Sequence, residues 1–100
     1  MPTFILMTKL APGTLDSSEV RKSTGKEWLH KVRACCPDVK WVAHYALLGR
    51  YDFMDIYEAP DVETAQKVSL ISRAGGALEA ESWQALLYDN FLRVLDEITD

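Results

Sequence analysis

Hydrophobic and polar positions follow two rhythms along this chain. Residues 3–9 (TFILMTK) form a short apolar run with polar ends, which fits a buried strand, and Pro12-Gly13 breaks it. From Asp16 onward the spacing changes: Val20, Thr24, Trp28 and Val32, with Leu29 beside them, recur at helical intervals. Asp16-Ser17-Ser18-Glu19 supplies an acceptor at the cap and a glutamate three residues later, as in a capping box, and Pro37 stops the helix. Gly25 weakens the middle of this helix by about 1 kcal/mol relative to alanine, while its missing side chain permits close approach to a sheet. Residues 39–48 (VKWVAHYALL) and 51–58 (YDFMDIYE) are rich in β-branched and aromatic side chains and predict two strands. Gly49-Arg50 joins them, and a two-residue loop with glycine first suits a type II′ hairpin. Pro60-Asp61 opens a second helix with Asp61 as cap; Val62, Ala65, Val68 and Ser72 form its inward stripe, with Ile71 beside them, and Gly75-Gly76 ends it. Residues 78–87 predict a fourth strand, and residues 88–98 carry Phe91, Leu92, Leu95 and Ile98 at the spacing of a third helix.

This order predicts one α+β domain over residues 1–100 with a ferredoxin-like βαββαβ core. Right-handed crossovers make it a four-stranded antiparallel sheet with two helices on one face, followed by a C-terminal helix. The helices cover one face only, and the other should alternate polar with apolar residues. It does not. Phe4 and Leu6 point one way, Ile5 and Met7 the other; Trp41, Ala43, Tyr45 and Leu47 oppose Val42, Ala46 and Leu48. An open face of this kind exceeds the few hundred Å² of apolar surface that soluble monomers show. Two arrangements would cover it: a second copy paired face to face about a two-fold axis, which is the expectation, or the third helix folded across it.

Composition narrows the function classes. The chain has 100 residues, 48% hydrophobic and 26% charged, with a net charge of −4, as in an ordinary globular domain. A strong nucleic-acid binder carries a surplus of Lys and Arg to neutralise phosphate, so this balance argues against that class. No stretch approaches the roughly 20 apolar residues that span a bilayer, and no basic leader precedes residues 3–9. The expectation is a cytoplasmic protein without nucleic-acid or membrane partners. Cys35 and Cys36 are neighbours, so a bridge between them would staple no loop; they are expected as one buried and one exposed thiol at a helix end. His30 is the one ligand-type neighbour, and without Cys-x-x-Cys spacing a redox or metal pair is disfavoured. No metal site is expected.

If the two-residue turn holds, Leu48 faces Tyr51, Ala46 faces Phe53, His44 faces Asp55 and Val42 faces Tyr57, all on one face of the sheet. Tyr45, Ala43, Met54 and Ile56 lie on the opposite face and read as the helix-packed core. His44 and Asp55 would then sit side by side on the face reserved for a partner sheet, ringed by Tyr51, Phe53 and Tyr57. A carboxylate fixes the tautomer of an imidazole and favours its charged form, while burial disfavours charge on both. Such a pair can be a structural cross-strand ion pair, or a polar centre in an apolar cavity, the usual make-up of a small-molecule pocket. A one-residue slip in register would send every side chain to the other face.

The run Leu48-Gly49-Arg50-Tyr51-Asp52, followed by Glu58-Ala59-Pro60-Asp61, resembles the signature of the GYD domain family. Met1-Pro2-Thr3-Phe4 with Thr8-Lys9-Leu10 is similar to that family's first strand, and residues 81–85 to its last, so the resemblance spans about the first ninety residues. It implies a dimeric α/β-barrel type of domain, found in bacteria and archaea, with no agreed activity. The signature also has a folding account: Gly49 permits a positive φ at the turn, Asp52 accepts from nearby amides, and Pro60-Asp61 starts a helix. The function expected is a homo-oligomeric small-molecule binding or sensing protein with its pocket between sheet faces, near Tyr51, Phe53 and Tyr57. The alternatives are a small enzyme with His44 and Asp55 as acid–base pair, an isomerase or cofactor-free oxygenase, or a plain assembly module. No Gly-rich phosphate loop, Gly-x-Ser-x-Gly or His-Glu-x-x-His occurs, and ligand and cofactor stay unspecified. RNA-recognition domains share this strand order and stack bases on third-strand aromatics, comparable to Tyr51 and Phe53, but Asp52 and Asp55 beside them would repel phosphate.

Overall fold

The computed structural model describes residues 1–99. Strand β1 (Thr3–Leu10) leads through a turn at Gly13 to helix α1 (Ser18–Cys35), then β2 (Lys40–Ala46), β3 (Phe53–Glu58), α2 (Val62–Ala74), β4 (Ala77–Ala85) and α3 (Tyr88–Ile98). All pairings are antiparallel in the order β2-β3-β1-β4, the ferredoxin-like α+β arrangement. Both helix starts are capped by side-chain oxygens. Asp61 accepts from the Thr64 amide at 2.7 Å as expected, while α1 is capped by Ser17, which accepts from the Val20 amide at 3.1 Å, one residue later than the capping box suggested. The thiols divide as expected, Cys35 exposed and Cys36 buried, and burial pushes the Cys36 thiol up, with Cys35 adding to the effect.

The core lies between the helices and one face of the sheet. Phe4 and Leu6 of β1 and Tyr57 of β3 meet Val32 and Cys36 at the end of α1 and Ala65 and Val68 of α2, all buried. Phe4 stacks on Tyr57 with centroids 5.6 Å apart, Tyr57 leans on Trp41 at 5.1 Å, and Trp41 on Trp28 at 5.2 Å. Aromatic pairs at such separations add about 0.5–1.5 kcal/mol each beyond their burial. Trp28 donates its indole N–H to Ser72 of α2 at 2.7 Å, which ties the two helices together. Val20 and Val62, expected on the inward stripes, are exposed at the N-terminal ends of their helices.

The sheet faces are reversed relative to the sequence reading. β3 is paired to β1 with Leu6 opposite Asp55 and Phe4 opposite Tyr57. Phe53, Asp55 and Tyr57 therefore share the helix-covered side with the core, and Met54, Ile56, Ala43 and Tyr45 belong to the open side. Two apolar faces present the same alternation, so parity along one strand cannot say which takes the helices; packing of Phe4, Leu6 and Tyr57 against Val32 and Val68 decides it. A pocket between sheet faces that includes His44, Asp55, Phe53 and Tyr57 is thereby excluded.

The hairpin register is as expected for Ala46 with Phe53 and His44 with Asp55, but fails at Val42. A bulge inserts Val42, so Trp41 takes its place opposite Tyr57 and joins the core. The turn also departs from type II′: Gly49 has φ +153, far from the roughly +60 of that turn.

The open side carries Ile5, Met7, Met54 and Ile56 in its centre, with Tyr45 and Trp83 toward its edges and exposed. Helix α3 does not cover it. It follows β4 after two residues, packs against no other element, and leaves Tyr88, Phe91, Leu92, Leu95 and Ile98 exposed. The chain is correspondingly elongated, 55 × 30 × 18 Å. Folding of α3 across its own sheet, the alternative to a second copy, is not the arrangement observed.

Candidate functional site

Three elements meet at the edge of the helix-covered side. α1 crosses above edge strand β2 and contributes Arg21, Gly25, Trp28, Leu29 and Arg33 at successive turns, so all point down one side of the helix. β2 contributes Trp41, Val42, Ala43 and His44, with the bulge turning Trp41 inward, and β3 contributes Asp55 from the floor. Between them runs a groove of about 400 Å³, within the usual range for small-molecule sites. A smaller cavity of about 50 Å³ continues from its end beneath Trp28, past Thr8, Thr24, Phe53 and Ser72.

His44 and Asp55 are brought together as the sequence predicts. His44 Nδ1 lies 2.5 Å from Asp55 Oδ1. Their exposures differ sharply: the histidine side chain is 58% exposed and the aspartate 8%. The carboxylate thus holds the imidazole from below, and with the proton on Nδ1 the Nε2 lone pair is presented to solvent and groove. The ring leans on Phe53 with centroids 5.2 Å apart, and the Arg21 guanidinium lies over the same Phe53 ring, 4.9 Å from its centroid. A Cβ at Gly25 would meet the Arg21 guanidinium at 3.4 Å, an ordinary van der Waals contact. The arrangement can orient a polar group, accept or deliver a proton at Nε2, and stack a flat molecule against tryptophan. Among the described residues, no group of three or more His, Cys, Asp or Glu side chains is placed to hold a metal ion. No described helix is long and apolar enough to cross a membrane.

Burial pushes the Asp55 carboxyl above its ordinary value of 3.8, and His44 and then Arg21 pull it only part of the way back. A carboxyl raised in the fold binds more protons folded than unfolded between its two pKa values. Its charge therefore costs stability: nothing below the unfolded value, increasingly as pH rises through that interval, and a constant amount from there to neutrality. Asp55→Asn is expected to melt at or above the wild-type temperature at pH 7, with the difference gone near about pH 3. Water can replace the lost partner of the exposed His44. A variant melting clearly below wild type at pH 7 would mean that the pair is held for stability instead.

The other expected residues do not join the groove as a set. Phe53 lines the smaller cavity beyond the groove's end and not the groove itself. Tyr57 is fully buried in the core, its hydroxyl 2.6 Å from Ser82 Oγ, which in turn accepts from Ser69 at 2.8 Å. Tyr51 lies on the open side, its hydroxyl 3.3 Å from Glu81 and its ring edge-on to Trp83. Tyr51 and Phe53 therefore form no pair of base-stacking aromatics on one face. Arg21, Trp28, Arg33 and Trp41 were not foreseen. The spacing of Arg21, Gly25 and Trp28 on one helix side was a signal for the first two, whereas the bulge that delivers Trp41 leaves none.

The sequence matches the GYD domain family over residues 4–95. The chain belongs to that family. It is 29% identical over 86 residues to a Thermus thermophilus protein named "Glutamine synthetase and cystathionine beta-lyase binding protein", covering 86% of this chain and 90% of that one. The fold is similar to the crystal structure of TTHA0845 from Thermus thermophilus, with TM-score 0.57 and 19% identity over 86% of this chain and 94% of that one. It is similar too to the crystal structure of FFRP-DM1, with TM-score 0.54 and 18% identity over 86% of this chain and all of that one. At these identities the likeness concerns the fold.

The GYD signature residues fasten the hairpin to the sheet. Asp52 accepts from the Leu10 amide through its carboxylate at 2.7 Å and donates its own amide to Thr8 at 2.8 Å, while its carbonyl accepts from Leu47 at 2.8 Å. Lys9 reaches the Arg50 carbonyl at 3.1 Å. The contacts to Thr8, Lys9 and Leu10 close the end of β1 against the loop, and the Leu47 bond closes the loop itself. The GYD signature is thus explained by folding, and the groove is built from residues outside it.

Proposed function

We propose that this GYD domain is a self-associating binding protein that takes a small molecule in the groove between α1 and β2, with His44 and Asp55 as its polar centre. The observation that carries this reading is a buried carboxylate committed to one imidazole at the floor of a tryptophan-lined groove. Proteins keep ionisable groups in such surroundings where a pKa and an orientation are needed, although structural networks do so too. Self-association rests on the apolar open side and on the unpacked stripe of α3, since contiguous exposed apolar surface marks an interaction site. A second copy would cover the sheet face in an isologous contact.

Native mass spectrometry of freshly purified protein tests both parts. The expected result is a dimer or larger even assembly, with groove ligands found by a melting-temperature screen and lost in His44→Ala. Unchanged ligand binding in His44→Ala would overturn the site. Turnover of a bound molecule, lost in Asp55→Asn while binding persists, would make the pair catalytic.

A second reading is regulation through a larger protein partner. The Thermus thermophilus relative is named for binding two enzymes, and the α3 stripe of Phe91, Leu92, Leu95 and Ile98 is uncommitted within its own chain. An amphipathic helix laid in a groove is a recurrent docking mode. Variants that replace Leu95 with lysine would separate the two surfaces, because the small-molecule groove lies on the far side of the domain core.

A further inference from the structure

We infer that the groove selects an organic anion with a flat apolar body, of the class of aromatic carboxylates, and that Arg21 is the residue that reads the negative charge. This rests on the groove being a binding site and adds the chemistry of its ligand. The walls supply the apolar half: Trp28, Leu29, Trp41 and Val42 line the groove, and tryptophan faces suit planar rings. The charged half is set by which polar groups already have partners. Asp55 is committed to His44, whose Nδ1 lies 2.5 Å away. The Arg21 guanidinium is half-buried over Phe53 and, among the described residues, makes no hydrogen bond or ion pair. A guanidinium keeps its charge at all ordinary pH and offers five donors in a fork matched to a carboxylate. Asp55 is thus engaged by the imidazole while the Arg21 fork keeps its donors free, so Arg21 is the donor at this end of the groove that an incoming anion can use.

Geometry also limits the anion. Arg33, the other cation on this side of α1, lies twelve residues further along, about 18 Å at 1.5 Å per residue. The two cannot clasp one phosphate. A single carboxylate at Arg21 leaves the ring to lie along the tryptophans toward Arg33. Gly25 lines the groove between the two arginines, so a bulky side chain there would project into the space the ring needs.

Titration with 2-naphthoate, its methyl ester, acetate and inorganic phosphate, followed by amide and indole NMR signals, tests this. The expected result is that 2-naphthoate shifts the Trp28 and Trp41 indole signals and binds at least about tenfold more tightly than the ester, as a charge-assisted bond requires. Arg21→Gln should remove that advantage and leave ester binding unchanged; Gly25→Leu should abolish binding of both. Equal binding of acid and ester, no loss of acid binding in Arg21→Gln, or phosphate binding at Arg21 as tightly as naphthoate would overturn the inference. If the ester and acid bind equally in the groove, the ligand class is wrong and the groove reading stands. If no probe of either charge binds there, both fall.

Discussion

Tyr57→Ala is expected to lower the melting temperature by about 12 °C or more, and Tyr57→Phe by only a few degrees. Truncating a buried aromatic costs about 3–5 kcal/mol, and each kcal/mol moves the midpoint of a domain this size by at least about 4 °C. Against a total stability of about 5–15 kcal/mol the alanine variant stands near the limit of folding. Tyr57 belongs to the aromatic row from Phe4 through Trp41 to Trp28, so its loss opens a cavity that neighbours on both sides would have to close. The phenylalanine variant keeps the ring and loses one hydroxyl contact; Ser82 retains its bond from Ser69. A thermal melt checks the pair. A drop under about 4 °C for alanine would place Tyr57 outside the core and reopen a ligand-contact role.

The second large effect is on assembly. Ile56→Arg is expected to turn the proposed dimer into a monomer at micromolar concentration while leaving the circular dichroism spectrum unchanged. Ile56 sits in the centre of the open side, opposite Ile5 and beside Ala43, and takes no part in its own chain's buried core. A two-fold contact repeats every side chain, so one substitution inserts two charges into the same apolar patch. An unpaired charge removed from water costs several kcal/mol, so the dissociation constant should rise on the order of a thousandfold or more. Analytical ultracentrifugation reads this directly. A variant that stays dimeric would move the contact away from the sheet. If Leu95→Lys alone dissolved the assembly, α3 would be the contact.

Much of the fold was legible because its determinants are local. Turn glycines, the Asp61 cap and the change from strand to helical spacing each act within a few residues, and they fixed element order and the pairing of His44 with Asp55. What failed was non-local. An alternating strand that is apolar on both sides carries no mark of which side the helices take, so the whole β2–β3 face was assigned to the wrong side. The extra residue at Val42 has no turn signal, and without it Trp41 reads as pointing the wrong way. α3 shows by its stripe that it needs cover but not whose. The site was half legible for the same reason: the cross-strand pair follows from register, whereas Arg21 enters only once α1 is laid over β2.

The three tryptophans report on the two surfaces separately, since Trp28 and Trp41 line the groove and Trp83 stands on the open side. The most direct test of the account is to follow their three indole N–H signals while small-molecule fragments are added to the protein. Binding fragments are expected to move the Trp28 and Trp41 signals together with those of His44, and to leave Trp83 still. Fragments that move Trp83 and leave Trp28, Trp41 and His44 unmoved would contradict a binding site on the helix side of the sheet.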